Sequence, residues 1–385
     1  MVQREAKQTL RRYAKGFPLV CITGPRQSGK TTLAKMAFPG KPYLSLEDPD
    51  ISLIARSDPR GLLENYPKGL ILDEAQYAAD IFIYLKTIID KDPVPGKFIV
   101  TGSQQFNLLE KITESLAGRA AFLNLLPFSI NELRRANILG DDLYALMLTG
   151  CYPPLYDREL APRDWYSAYI ASYLERDVRS VTNVKNLGVF QNFLKFCAAR
   201  NGSLLNLSAL ALDCGISHNT ARDWISILET SGIVFLLRPY YRNFGKRLIK
   251  TPKLYFVDSG LACRILGIKD RESLFIHPDR GHLFESFIIS DILKSRFNQG
   301  QDSGMYFWRD KRGLEVDLII EDGVRLKSVE IKSGTTFQPE FVRGLLDWQK
   351  FSGASAADCF LIYGGTVRAQ YQGIQIVEWR RAAGV

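Results

Sequence analysis

The sequence has few of the residues from which metal-bound or cross-linked small folds are built. Its six cysteines are scattered, no two of them form a C-x-x-C pair, and the chain has only three histidines. This composition indicates neither a zinc site nor a disulfide framework. No apolar run approaches the ~18 residues of a membrane span, and the first residues show no apolar signal segment. We therefore expect a cytoplasmic protein without a membrane partner.

Apolar residues and positive charge are abundant. The chain of 385 residues is 46% hydrophobic, which is enough for two or three domains with buried cores. Its 50 lysines and arginines exceed 41 acidic residues and give a formal charge of +9. A diffuse excess of this kind is usually only a solvated surface, so the distribution of the charges decides whether a polyanion binds.

The most specific motif is a glycine-rich loop that follows an apolar run, Phe17 to Thr23, and opens a helical run. This is a Walker A phosphate loop, in which the glycines let successive backbone N–H groups face a phosphate. Lys30 would reach the β and γ oxygens, and the Thr31 hydroxyl would ligate Mg²⁺. The residues predicted to bind ATP are Gly24, Pro25, Arg26, Gln27, Ser28, Gly29, Lys30, Thr31 and Thr32.

A second motif places two carboxylates at the end of a short apolar strand, Gly69 to Leu72. Asp73 can hold Mg²⁺ through water, and Glu74 can orient the attacking water, so we expect hydrolysis as well as binding. Further strands are predicted over Pro42 to Leu46, Lys97 to Thr101 and Ala121 to Leu125. Together they predict a five-stranded parallel sheet flanked by helices, with the ligand at the carboxyl ends of the strands.

Two more residues are candidates for sensing the γ-phosphate. Ser103, with Gln104, follows the fourth strand where a sensor would lie, although an ordinary polar turn explains these residues equally well. Arg119 precedes the fifth strand and could act as an arginine finger, in cis or from a neighbouring subunit of a homo-oligomer. A solvated arginine is the alternative.

The middle of the chain shows a helix-turn-helix pattern, with helices over Leu204 to Leu212 and His218 to Thr230. Two strands, Ile233 to Leu237 and Lys253 to Val257, flank a loop in which residues 238–253 carry six positive charges and no acidic residue. This predicts a winged helix that binds nucleic acid, with DNA favoured; a spacer or a protein-docking module is the alternative. The predicted contacts are Arg222, Arg238, Arg242, Lys246, Arg247 and Lys250.

The last hundred residues carry a second chemical pattern. Glu285 lies on a predicted helix, Asp317 on a strand, and Glu330 and Lys332 on the next strand, where residues two apart share a face. This is the spacing of PD-(D/E)xK nucleases, in which carboxylates bind Mg²⁺ or Mn²⁺ and the lysine orients or deprotonates the nucleophile. We predict metal binding by Glu285, Asp317 and Glu330, in addition to Thr31 and Asp73 at the ATP site, with Lys332 catalytic.

The order of the motifs resembles that of a known family, the prokaryotic AAA-type ATPases fused to a nuclease-like C-terminal domain of unknown function. The resemblance rests on the following segments: Gly24 to Thr31, Gly69 to Gln76, Gly102 to Gln104, Leu116 to Arg119, Tyr173 to Asp177, and Glu285, Asp317, Glu330 and Lys332. The C-terminal spacing is also similar to that of Holliday-junction resolvases. Where the family usually has a double glycine before its proline, this chain has Gly150-Cys151-Tyr152-Pro153.

The resemblance implies ATP binding and a winged helix between two chemical modules. The expected fold is α/β, with a P-loop NTPase domain at 1–140, a helical linker or lid at 141–185, a winged helix-turn-helix at 186–262 and a PD-(D/E)xK-like domain at 263–385. The expected function is a Mg²⁺-dependent ATPase that binds nucleic acid and presents it to a metal-dependent nuclease-like domain. The main alternative is a regulatory ATP switch whose winged helix and inactive C-terminal domain dock protein partners.

Overall fold

The computed structural model describes residues 2–102, 116–158, 160–174, 187–240, 250–310, 313–323 and 325–385. Within these ranges the chain forms two compact units. The first comprises Met1–Phe128, Thr230–Gly232 and Arg296–Asp302, and the second comprises Ser129–Glu229, Ile233–Ser295 and Ser303–Val385. Among the described residues, no helix is long and apolar enough to cross a membrane.

The first unit is built on a five-stranded parallel sheet with the order β2-β3-β4-β1-β5. The sheet was predicted from the five apolar runs, and the order puts β4 between the phosphate-loop strand and the strand that ends in Asp73. The strands are β1 (Leu19–Thr23), β2 (Tyr43–Ser45), β3 (Ile71–Asp73), β4 (Phe98–Thr101) and β5 (Ala120–Asn124).

Helices cover the sheet of the first unit, and apolar residues on its two faces form two buried clusters. Both faces of β1 are buried, as is usual for a parallel strand between helices. The helices are α1 (Ala6–Gly16), α2 (Lys30–Ala37), α3 (Pro49–Ser57), α4 (Pro59–Glu64) and α5 (Ile81–Lys91), with a 3₁₀ turn at Ala75–Ala78.

The second unit begins with a group of short helices and the helix-turn-helix pair. Up to the end of the helix-turn-helix pair, its helices are α6 (Ile130–Arg135), α7 (Leu143–Thr149), α8 (Pro154–Asp157), α9 (Pro162–Tyr169), α10 (Leu187–Ala198), α11 (Leu207–Cys214) and α12 (His218–Thr230), with a π-helical segment at Ile170–Leu174. The bounds of α12 are those predicted. The Ser217 hydroxyl caps the helix by accepting a hydrogen bond from the Thr220 N–H at 3.0 Å.

The hairpin that follows α12 belongs to a larger sheet. Nine strands lie in the order β13-β14-β12-β11-β10-β9-β7-β8-β6, and β7 pairs in parallel with β9 at Arg238 and Pro239. The strands are β6 (Ser203–Leu204), β7 (Val234–Pro239), β8 (Lys253–Phe256), β9 (Met305–Arg309), β10 (Glu315–Asp322), β11 (Arg325–Lys332), β12 (Cys359–Tyr363), β13 (Ala369–Tyr371) and β14 (Ile374–Glu378).

The remaining helices lie between β8 and β9 or between β11 and β12 in the sequence. They are α13 (Ser259–Leu266), α14 (Arg271–Ile276), α15 (Arg280–Asn298) and α16 (Arg343–Ser352), with 3₁₀ turns at Pro339–Val342, Ala356–Asp358 and Trp379–Gly384. The three-strand meander β9-β10-β11 follows α15, as predicted. The boundary expected at 262/263 falls inside α13, and the sheet runs across it.

Candidate functional site

The turn between β1 and α2 depends on glycine at two positions. Gly24 has φ +143°, and a Cβ atom there would lie 2.1 Å from the carbonyl oxygen of Leu125. Gly29 has φ +93° and precedes the first residue of α2. The two glycines therefore allow the loop to curl over the N-terminus of α2, where helix amide groups and the helix dipole favour a bound phosphate.

Lys30 is buried within this loop. Its Nζ donates to the carbonyl oxygens of Gly24, at 3.0 Å, and Pro25, at 2.9 Å. The buried Ser28 Oγ has no hydrogen-bond partner among the described residues. A buried ammonium and a free hydroxyl at the start of a helix are the groups that fit a phosphate chain. Of the other predicted ATP ligands, Gln27 has a positive φ of 61° and Thr32 is exposed.

An arginine that the sequence analysis missed braces the loop. Arg4 donates from Nη1 to the Ser28 carbonyl and from Nη2 to the Leu126 carbonyl, each at 2.6 Å. Its guanidinium also lies over the Phe128 ring, 5.0 Å from the centroid. Nothing in the sequence marks Arg4, because its partners are backbone carbonyls 24 and 122 residues away.

Asp73 lies at the end of β3 and accepts hydrogen bonds from three hydroxyl groups. Thr31 Oγ1 is 2.9 Å from both carboxylate oxygens, Tyr43 OH is 2.7 Å from Oδ2, and Thr101 Oγ1 donates to Oδ1. Burial and the bond to Asp73 raise the pKa of Tyr43 above its usual value. Thr31 and Asp73 were predicted to act together on Mg²⁺, and the fold brings them into contact.

Glu74 has an unusual backbone for a residue with a side chain. Its φ and ψ are both 51°, in the left-handed region, and such strain is most often kept at functional sites. The Glu74 N–H lies 3.3 Å from Thr101 Oγ1, and the Gln76 amide donates to Glu74 Oε2. Thr101 thus contacts both carboxylate residues from the end of β4. The predicted sensor residues Ser103 and Gln104 lie outside the described residues.

Arg119 lies at the amino ends of the parallel strands, whereas the phosphate loop follows the carboxyl end of β1. It directly precedes β5, and its carbonyl oxygen accepts from the N–H of Leu19, the first residue of β1. The loop follows the opposite end of β1, so Arg119 cannot reach a phosphate bound in its own chain. Its side chain instead pairs with Asp90 on the surface. The prediction of a finger in cis is therefore wrong, because Arg119 precedes its strand instead of following it.

The second unit brings the four predicted C-terminal residues together. Lys332 Nζ pairs with Glu330 Oε1 and lies 3.8 Å from Asp317 Oδ2. Asp317 Oδ2 also accepts from the Ile331 N–H at 2.8 Å, beside a β-bulge between β9 and β10. Glu285 reaches the same cluster from α15 and is 8% exposed.

A second lysine, Lys253, is part of this cluster. It is 4% exposed, its Nζ is 3.0 Å from Glu285 Oε1, and it also pairs with Glu315. Tyr255 donates to the same Glu285 oxygen. The sequence pattern places Lys253 among the six positive charges of the basic loop, with no acidic residue to offset it. This expectation is wrong because Lys253 begins β8, and its side chain turns inward to two carboxylates.

Electrostatics in the cluster follow from burial and from like charges. Burial, and then the nearby Asp317 carboxylate, raise the pKa of Glu330 to about 8. Burial also raises the pKa of Glu285. Burial alone would lower the pKa of Lys253, but Glu285, Asp317 and Glu315 outweigh it and the pKa lies above its usual value. In the described part of the chain, no three His, Cys, Asp or Glu side chains are grouped so as to hold a metal ion.

The predicted nucleic-acid contacts are only partly described. Arg222, Arg238 and Lys250 are exposed. The Arg222 Nε atom lies 3.7 Å from Asp223 Oδ1. Arg242, Lys246 and Arg247 fall outside the described residues. On α12 the predicted inward residues are buried and the predicted outward residues are exposed.

Three family models match consecutive parts of the chain. Residues 16–134 match an AAA domain, residues 140–272 match a domain of unknown function (DUF8612), and residues 280–381 match a domain of unknown function (DUF4143). The AAA match covers the parallel sheet with its phosphate loop, as expected from the two N-terminal motifs. The first unit is therefore similar in sequence and in sheet order to AAA-type P-loop domains, a class that binds and hydrolyses ATP.

Two curated relatives and two solved structures complete the comparison. Uncharacterized proteins of Mycobacterium tuberculosis and Mycobacterium bovis are each 29% identical over 337 residues, covering 87% of this chain and 74% of theirs. A Walker-type ATPase of Pyrococcus abyssi is 16% identical, with a TM-score of 0.46 over 68% of this chain and 94% of that one. RuvB of Thermotoga maritima is 19% identical, with a TM-score of 0.33 over 62% and 90%.

Proposed function

We propose that the protein is a Mg²⁺-dependent ATPase that acts with nucleic acid, bound through its helix-turn-helix and hairpin, and carries a metal-dependent nuclease-like site in its C-terminal part. The contact of Thr31 with Asp73, next to the buried Lys30, carries the ATPase assignment. It joins the two motifs across 42 residues of sequence, which chance similarity in either motif alone does not explain.

Each residue of the first site has a separate role. Lys30 and the loop amides hold the phosphate chain, and Thr31 and Asp73 hold Mg²⁺, which neutralises charge on the phosphate oxygens. Glu74 orients the water whose oxygen bonds to the γ-phosphorus while the bond to the bridging oxygen breaks, giving ADP and phosphate. Ser103 is proposed as the sensor, and Arg119 acts only if a neighbouring subunit supplies it.

ATP turnover of the Glu74→Gln variant tests this assignment. The amide keeps the size of the side chain but cannot take the water proton, so the variant should bind ATP and lose roughly 10²-fold or more in hydrolysis. Binding is measured with a fluorescent ATP analogue and hydrolysis by phosphate release, each with Mg²⁺ and with EDTA. Parent-rate hydrolysis by the variant would show that Glu74 is not the water-orienting group.

Nucleic-acid binding is supported by the exposed face of α12 and by the exposed Arg238 and Lys250 at the two ends of the basic loop. Replacing Arg242, Lys246 and Arg247 by alanine should weaken DNA binding and lower the slope of log K against log salt by about three. A matched triple variant of the exposed Lys68, Lys91 and Lys350 removes the same charge elsewhere. Equal losses in both variants would leave only non-specific attraction by net charge.

The C-terminal assignment is supported by the convergence of Glu285, Asp317, Glu330 and Lys332 on one buried cluster. In the described residues no three of these carboxylates are grouped to hold a metal ion, so metal binding requires the cluster to rearrange. It is tested by incubating linear, single-stranded and four-way-junction DNA with Mg²⁺ or Mn²⁺, with and without ATP. Cleavage should vanish in Asp317→Ala and Lys332→Ala while ATP hydrolysis continues. Cleavage that survives both substitutions would come from a contaminant or from a different site.

A second candidate function is a regulatory ATP switch that docks protein partners. Two observations favour it: β7 of the hairpin is paired with β9, and Lys253 already offsets part of the cluster charge. The two functions differ in what they predict for DNA. A switch of this kind would show ATP binding with no cleavage and no change of salt slope in the basic-loop variant.

A further inference from the structure

The carboxylate cluster contains more positive charge than the nuclease pattern alone would supply. Four carboxylates take part, on α15 (Glu285), β10 (Glu315 and Asp317) and β11 (Glu330). Among the described residues, three cations face them: Lys253, Lys332 and Arg309, whose Nη1 lies 3.3 Å from Glu315 Oε2. Lys332 alone, the lysine of the sequence pattern, would leave the group strongly negative.

Lys253 binds a carboxylate of the proposed metal site. Its Nζ and the Tyr255 hydroxyl both donate to Glu285 Oε1, and the same ammonium pairs with Glu315. Hard divalent cations require carboxylate oxygens at about 2.0–2.6 Å. An ammonium and a divalent cation close to the same carboxylate repel each other, because both are positive.

A separate observation shows that the cluster can accept a further positive group, either a proton or a cation. Glu330 is 8% exposed, and its Oε2 atom has no hydrogen-bond partner among the described residues, whereas Oε1 is bound by Lys332. Leaving a buried carboxylate oxygen without a donor is costly. The Glu330 Oε2 atom therefore remains available for a proton or a cation, beside carboxylate oxygens that accept from Lys253 and Lys332.

We propose that Lys253 is an internal counter-cation that occupies this cluster in the metal-free protein, so that Mg²⁺ or Mn²⁺ binds only by displacing its ammonium from Glu285. The inference rests on the proposed C-terminal metal site and adds its regulation. Lys253 is the first residue of β8, and its stem is long enough for Nζ to leave without a change in strand pairing. The ring centroids of Phe307 and Tyr255 lie 5.5 and 6.0 Å from the Lys253 Nζ, within the range of a cation–π contact.

The first experiment measures Mn²⁺ binding to the full-length protein by electron paramagnetic resonance of free Mn²⁺. All proteins carry Asp73→Asn, which removes the metal ligand of the nucleotide site. Lys253→Met keeps the stem and removes the charge, and should bind Mn²⁺ roughly tenfold or more tightly than the parent, because a competing charge is gone. Lys253→Arg keeps the charge and should bind no more tightly than the parent.

The outcomes separate the inference from the function on which it rests. Mn²⁺ binding that is equal in the parent and in Lys253→Met, or weaker in the variant, overturns the competition while leaving the metal site in place. If neither protein binds Mn²⁺, the proposed metal site fails and the inference fails with it. Asp317→Asn in the same background should remove the binding, which assigns the signal to this cluster.

The second experiment needs no substitution of Lys253, which guards against a variant that does not fold. The unaltered protein is treated briefly with an amine-acylating reagent, and modification of each lysine is read by peptide mass spectrometry. Saturating Mn²⁺ should raise the modification of Lys253 several-fold, since its ammonium leaves its carboxylates. The exposed Lys350 serves as the control and should not change. Unchanged modification of Lys253 on Mn²⁺ binding would overturn the proposal.

Discussion

The two units surround their carboxylates with different donors. In the first, Asp73 accepts from the hydroxyls of Thr31, Tyr43 and Thr101, which carry no charge. In the second, Glu285 and Glu330 accept from the ammonium groups of Lys253 and Lys332. The first arrangement holds a carboxylate in place and leaves its charge for a cation, whereas the second already supplies most of the compensating positive charge from its own side chains.

This difference shows that converging carboxylates do not by themselves make a metal site. Whether carboxylates bind a metal ion depends on whether side chains of the protein already supply the compensating positive charge or a cation from solution must supply it. The sequence pattern predicts a metal ion at Glu285, Asp317 and Glu330. The structure places the Lys253 ammonium beside Glu285, and burial raises the pKa of Glu330, which favours a proton on that carboxyl group.

The largest effect should come from the lysine of the first unit. Lys30→Ala removes the ammonium that faces the phosphate chain, and we expect ATP binding to fall roughly 10²-fold or more. Binding is measured by titration with a fluorescent ATP analogue. Lys68→Ala removes an exposed charge from the same unit and should leave the binding intact. Retained binding in Lys30→Ala would mean that the loop does not hold the nucleotide.

Asp73→Asn and Asp317→Asn compare the two carboxylate sites directly. ATP hydrolysis with Mg²⁺ should fall roughly 10²-fold in Asp73→Asn, because the amide keeps the size of the side chain but loses the charge that holds Mg²⁺. Asp317→Asn should hydrolyse ATP at nearly the parent rate, and its amide oxygen can still accept from the Ile331 N–H. Equal losses in both would show that the two sites are coupled in turnover.

The pKa of Glu330 predicts how stability depends on pH in the second unit. Because its folded pKa, about 8, lies above the unfolded value near 4.5, the folded protein holds a proton that unfolding releases. In buffer without divalent ions, this contribution is fully present below about pH 4.5 and is lost as the pH rises towards 8. Glu330→Gln should therefore flatten the fall in unfolding temperature between pH 5.5 and 8.5.

The control for the pH experiment is Glu340→Gln, which changes an exposed glutamate of the same unit. Its unfolding temperature should follow the parent curve. A Glu330→Gln protein whose pH dependence is as steep as that of the parent would show that Glu330 is not protonated in the fold.

The smallest effect is expected from Tyr43→Phe. The variant loses one hydrogen bond to Asp73 Oδ2, so the carboxylate is less well fixed and half-saturation by Mg²⁺ should rise roughly three- to tenfold. At saturating Mg²⁺, the KM for ATP and kcat should stay near their parent values. Tyr84→Phe is the control, on α5 of the same unit. Tighter Mg²⁺ binding in Tyr43→Phe would show that the hydroxyl competes with the ion instead of positioning Asp73.

Local patterns predicted the elements well and their side-chain partners less well. The five parallel strands, the bounds of α12 and its Ser217 cap follow from apolar runs and capping chemistry, which act over a few residues. The pairing of β7 with β9 and the contact of Arg4 with Ser28 join distant segments and leave no local signal. A finger role for Arg119 in its own chain fails because residues before and after a parallel strand lie at opposite ends of the sheet's strands, and its surface pair with Asp90 agrees with the alternative of a solvated arginine.

The pairing of β7 with β9 has a practical consequence for dissecting the protein. A fragment that begins near residue 265 would contain β9 but not β7, and the backbone groups of β9 that bond to Arg238 and Pro239 would become a bare sheet edge. Exposed edges of this kind recruit strands from other molecules. Such a fragment should self-associate at concentrations where the whole chain does not, whereas one that begins before β6 keeps the sheet complete.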